Sequence, residues 1–75
     1  MTIKYQIEKQ WYEDCEGRYT KFEPTIDLYD TLEDAIKAGL DMPKSPGWTG
    51  KWIVKRIAMD ELTFYYKKEQ VATGV

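Results

Sequence analysis

The chain has no histidine and a single cysteine, Cys15. Without histidine, no side chain ordinarily takes up and releases a proton near neutral pH, so the usual acid–base relay is excluded. One cysteine cannot close an intrachain disulfide. A structural zinc site needs four Cys or His ligands, and the chain cannot supply them. Cys15 lies among Glu13, Asp14 and Glu16, whose negative charge disfavours the thiolate, so it reads as a loop residue rather than a nucleophile. Gly47-Trp48-Thr49-Gly50 lacks the lysine–serine pair and the following helix of a phosphate loop. No apolar run approaches the roughly 18 residues of a membrane span. The first residues, Met1-Thr2-Ile3-Lys4-Tyr5, lack the apolar stretch of a signal peptide. With a lone thiol, that sets the expectation of a reducing cytoplasm and no membrane partner. These absences together point to a protein that is not an enzyme and carries no cofactor or metal.

Bulk and charge are what the chain does have. Seventy-five residues make one domain, and a domain of that size buries only roughly 60% of its unfolded surface. Three Trp, six Tyr and two Phe are available to fill its core. Each can bury about 150–250 Å², so together they exceed what so small a core holds. The surplus belongs on the surface, either covering sheet faces and edges or serving as the aromatic anchors that dominate binding interfaces. Charge is unevenly spread. Residues 1–41 hold five Lys or Arg against ten Asp or Glu, and residues 42–75 hold six against three. The halves carry −5 and +3, which suits electrostatic steering toward a protein partner better than tracking a phosphate backbone.

Local patterns place the elements. Residues 3–12 alternate, with Ile3, Tyr5, Ile7 and Trp11 on one face, as in a half-buried strand. Lys9 falls on that apolar face, so either the core ends near Ile7 or Lys9 snorkels. Residues 13–17 read as a hairpin loop. A second strand spans 18–29, with Pro24 marking a bulge or an edge and switching the phase so that Tyr29 turns inward. Asp30 or Thr31 caps a short helix, with Glu33 or Asp34 completing a capping box. Leu32, Ala35, Ile36, Gly39 and Leu40 form its apolar stripe. Gly39 either ends the helix or lies within it and allows close approach to a sheet. Residues 42–50 form a Pro/Gly loop carrying Trp48. A third strand covers 51–58, a tight turn follows at Asp60-Glu61, and Leu62 to Lys67 alternate as a fourth strand. The expected architecture is α+β: strand order ββαββ in sequence, a mainly antiparallel four-stranded sheet, and one helix packed on one face. The domain is expected over 1–68, with 69–75 a flexible tail.

The stretch Leu28-Tyr29-Asp30-Thr31-Leu32-Glu33-Asp34-Ala35-Ile36, followed by Trp52-Ile53-Val54-Lys55-Arg56-Ile57, resembles small phage-encoded proteins that modulate a bacterial host, inhibitors of host RNA polymerase among them. These share an aromatic–D–T–L–E–x–A helix start and an I-V-x-R strand. The resemblance covers residues 26–57, and the strand at 62–67 lies beyond the family's pattern, so no contact residues are carried over. It implies a small viral protein that binds a host macromolecule in transcription or defence, in the host cytoplasm.

Three readings of function follow. The first is a protein-binding module whose partner, a bacterial host protein, meets one of two surfaces. One is acidic, with Glu13, Asp14, Glu16, Glu33 and Asp34. The other is aromatic and basic, with Trp48, Lys51, Lys55, Arg56, Tyr65 and Lys67. The second is single-stranded nucleic-acid binding, with Tyr65 stacking beside Arg56 and the lysines. The third is a homodimer or larger homo-oligomer joined at an edge strand. Trp48 itself is either an interface anchor or a lid over the core.

Overall fold

The structure, a computed structural model, describes residues 1–12 and 19–74, with Tyr19 and Thr20 described in backbone only. The hairpin loop expected at 13–17 lies outside the described residues, and with it Glu13, Asp14, Cys15 and Glu16. The chain folds as the α+β domain its patterns predict. Its elements are β1 (Thr2–Tyr12), β2 (Tyr19–Tyr29), α1 (Leu32–Leu40), β3 (Trp48–Asp60) and β4 (Tyr65–Gly74). All pairings are antiparallel, in the spatial order β2-β1-β3-β4. The connection from β2 through α1 to β3 carries the chain over β1, so β1 and β3 become the central pair.

Alternation makes one face of this sheet dry. Ile7 stands opposite Val54, and Val54 opposite Ala72. Ile7, Val54, Trp52 and the helical Ala35 form the buried cluster, with Tyr5, Tyr29, Leu32 and Ile36 packed around it. Tyr29 reaches this face because β2 loses register there. Gln6 pairs with Leu28 and Glu8 with Pro24, so Thr25, Ile26 and Asp27 stand opposite Ile7 alone. Pro24, which has no N–H for a ladder, is the physical reason for a bulge at this edge. The bulge is stitched down by Thr25 Oγ1 donating to Ile7 O at 3.0 Å and Gln6 Nε2 donating to Thr25 O at 2.9 Å.

The helix starts where capping chemistry requires. Thr31 is the N-cap, and its hydroxyl accepts from the Asp34 N–H at 3.1 Å. Glu33 and Asp34 sit in the first turn, at the positive end of the dipole. Gly39 lies within the helix, buried, and Asp41 is the C-cap. A Cβ at Gly39 would come within 2.9 Å of the Trp52 ring. Of the two roles open to Gly39, close approach to the sheet is the one found. Leu40, expected in the apolar stripe, is exposed instead, at the last position of the helix.

The fourth strand lies later than alternation predicts. Residues 61–64 form the turn, and the strand proper runs from Tyr65 to Gly74. Residues 69–74, expected as a tail, pair along β3 from Arg56 to Trp52. Gly74 explains how. It lies against the indole of Trp52, and any Cβ there would overlap that ring. The Trp52 ring is thus flanked by two glycines, Gly39 on the helix and Gly74 on β4.

Candidate partner-binding surface

The sheet is long relative to its helix. The molecule measures 45 × 23 × 17 Å, and the thirteen residues of β3, at about 3.3 Å each, account for its long axis. The helix follows Tyr29, which is opposite Tyr5, itself opposite Arg56. It then runs toward Trp52. The β3–β4 hairpin therefore extends beyond the helix, past Arg56 on β3 and Glu69 on β4.

The end of that hairpin is apolar and exposed. Leu62 is 92% exposed, Phe64 91%, Tyr65 64% and Tyr66 60%. The turn is defined locally: Leu62 N–H donates to Asp60 Oδ1 at 3.0 Å, and Phe64 takes a positive φ of 55°. That conformation costs a non-glycine residue about 1–2 kcal/mol. Thr2 Oγ1 donates to Glu61 Oε1 and ties the turn to the start of β1. Sequence reasoning places Tyr65 in the site but takes Leu62 and Phe64 as strand residues. Asp60, followed by apolar residues on both sides of Thr63, is the signal for an Asx-type turn instead.

The cationic residues expected to act together divide between the two faces. Lys55, which pairs with Gln6 and Gln70, lies on the face away from the helix. Lys68 lies on that face too, opposite Ile57, and reaches across β3 to donate to Gln6 Oε1 at 3.3 Å. Ile57 and Ile53 on this face are buried. Arg56 and Lys67 lie on the helix side. Arg56 Nη1 is 3.1 Å from Glu69 Oε1, so its charge is partly spent within the hairpin. Lys67 stands exposed opposite Ala58. Glu33 and Asp34 are exposed on the helix's first turn.

Trp48 and Lys51 belong to the opposite end of β3. Trp48 is half-buried against the core cluster. Its indole Nε1 donates to Lys51 O at 2.9 Å. Lys9 Nζ lies 5.1 Å from the Trp48 ring centre and 5.5 Å from that of Trp11, which is how a lysine is accommodated on the apolar face of β1. A cleft of about 280 Å³ opens beside Trp48, lined by Gly39, Leu40, Met42, Lys44, Thr49, Gly50 and Trp52. It falls below the roughly 300–1,000 Å³ usual for ligand sites, and its lining offers one lysine and one threonine as polar side chains. Among the described residues no three Cys, Asp or Glu side chains gather as metal donors. No helix among them is long and apolar enough to cross a membrane. No family model, curated protein or solved structure matches the chain.

Proposed function

We propose that the chain is a non-enzymatic protein-binding module that presents its β3–β4 hairpin to a partner, in the manner of a small viral modulator of a bacterial host protein. The observation that carries this reading is the hairpin tip: Leu62, Phe64, Tyr65 and Tyr66 lie largely in solvent on a turn that holds Phe64 at positive φ. An apolar cluster offered to water, in a conformation with its own energetic cost, is what an interface anchor requires and what a core does not. Trp48 acts as a lid over the core, since its ring and its N–H are both engaged within the chain. Nucleic acid fits less well. The basic side chains point to two different faces, and Arg56 already faces Glu69.

The test is affinity capture from bacterial lysate with the full chain and with the Leu62→Ser, Phe64→Ser double variant. The expected result is a stoichiometric protein retained by the first and lost by the second. Capture of nothing, or capture indifferent to the two serines, contradicts the reading.

A further inference from the structure

We propose that the outer edge of β4 is the docking edge for an extended acidic segment of the partner, which adds a fifth strand to the sheet. The inference rests on the protein-binding reading above and names the chemistry of what is bound.

The two edges of the sheet are not alike. β2 carries Pro24, two breaks of register against β1, and the carboxylates Glu23 and Asp27. These features guard an edge against further pairing. β4 has no proline over its ten residues, and its register against β3 is unbroken from Tyr65 to Gln70, with one shift at Val71; among the described residues β3 is its only strand neighbour. One row of its backbone N–H and C=O groups therefore faces outward, available to a strand added in the manner of β-augmentation.

The side chains along this edge select the strand. Alternation sends Lys67 and Lys68 to opposite faces, so an added strand meets a positive charge whichever face its own side chain takes. Glu69, between them and the end of the strand, is already paired with Arg56. Lys68 donates to a neutral acceptor, Gln6 Oε1, a weaker bond than a carboxylate offers. Tyr65 and Tyr66 follow at one end of the pair and Val71 at the other, all exposed. The matching strand has two adjacent carboxylates flanked by apolar residues.

The same charges disfavour a second copy. An antiparallel β4–β4 pair about a two-fold axis puts one residue opposite itself. In the registers through Lys67, Lys68 and Glu69 that residue makes a like-charge contact, while the register through Gln70 sets a neutral amide opposite itself. Pairing β4 with the acidic β2 of another copy would match charge, but Pro24 and the bulge interrupt the ladder.

The probe is a fluorescein-labelled ten-residue peptide with two adjacent glutamates flanked by valines and tyrosines, compared with its double-lysine counterpart by anisotropy against the full chain. The glutamate peptide is expected to bind about ten-fold more tightly, the margin that two cross-strand opposite-charge pairs give over two like-charge pairs. Lys67→Glu with Lys68→Glu reverses the preference, while circular dichroism shows the fold unchanged. Equal binding of the two peptides, or a preference indifferent to the double variant, overturns the proposal. So does tighter binding of oligothymidylate lost in that variant, or a wild-type dimer in sedimentation equilibrium that the variant abolishes. If the peptide arm fails while lysate capture still depends on Leu62 and Phe64, the acidic-strand inference falls and the protein-binding reading stands.

Discussion

The two edge strands of this sheet are both eleven or ten residues long, yet the chain treats them in opposite ways. β2 is interrupted, bulged and acidic. β4 has no proline, keeps its register from Tyr65 to Gln70 with one shift at Val71, and carries two lysines beside exposed aromatics. The difference teaches that edge protection here is local and chemical. One edge is closed to every strand by Pro24, and the other is closed by Lys67 and Lys68 only to strands that carry positive charge. The core is indifferent to this contrast, since both edges lean on the same central pair, β1 and β3.

The largest effect expected is from removing residues 69–75. Composition alone marks this segment as dispensable, but it covers Val54 through Ala72 and lies over Trp52 at Gly74. The truncated chain is expected to lose its cooperative thermal transition; a transition retained within a few degrees would show that β4 contributes little to the fold. Next in size is Gly39→Ala, whose added methyl meets the Trp52 ring. The expected cost is about 1–3 kcal/mol, measured by urea denaturation. A cost near zero would mean that Trp52 gives way easily.

The third prediction separates stability from function at the basic edge. Phe64→Gly removes the positive-φ penalty and is expected to raise stability by about 1 kcal/mol, while partner capture falls. A fall in both would make Phe64 part of the core. The fourth concerns the guarded edge. Pro24→Thr is expected to change stability by less than about 0.5 kcal/mol, as surface substitutions usually do, but to permit β4 of one copy to seek the acidic β2 of the next. Light scattering should then rise with concentration and fall again when Lys67 and Lys68 are made glutamate. The smallest effect is Arg56→Ala. Arg56 and Glu69 are both substantially solvent-exposed, so their pair is worth at most about 1 kcal/mol, and added salt should erase the difference.

Much of this fold was readable from the chain because local and tertiary preferences agree. Thr31, Glu33 and Asp34 announce the helix start, and the alternation through Ile7 and Val54 announces the central strands. Pro24 announces the phase switch that turns Tyr29 inward. The misreadings have a common physical source. Residues 69–74, expected as a tail, open on Glu-Gln and bury little, so no period marks them as a strand; they are paired because β3 offers them a template. Leu62 and Phe64 look like strand residues because hydrophobicity alone does not say whether a side chain will find a neighbour. The basic residues lie close together in sequence, while the pleat divides them between two faces. The acidic patch at Glu13, Asp14 and Glu16 lies outside the described residues.

The most direct test of the docking-edge claim is a titration of the uniformly ¹⁵N-labelled chain with the double-glutamate peptide, followed by amide chemical shifts. The account predicts saturable shifts concentrated on β4 between Tyr65 and Ala72, with the amides of β2 unmoved. Shifts centred on β2, or on the cleft beside Trp48, would contradict it.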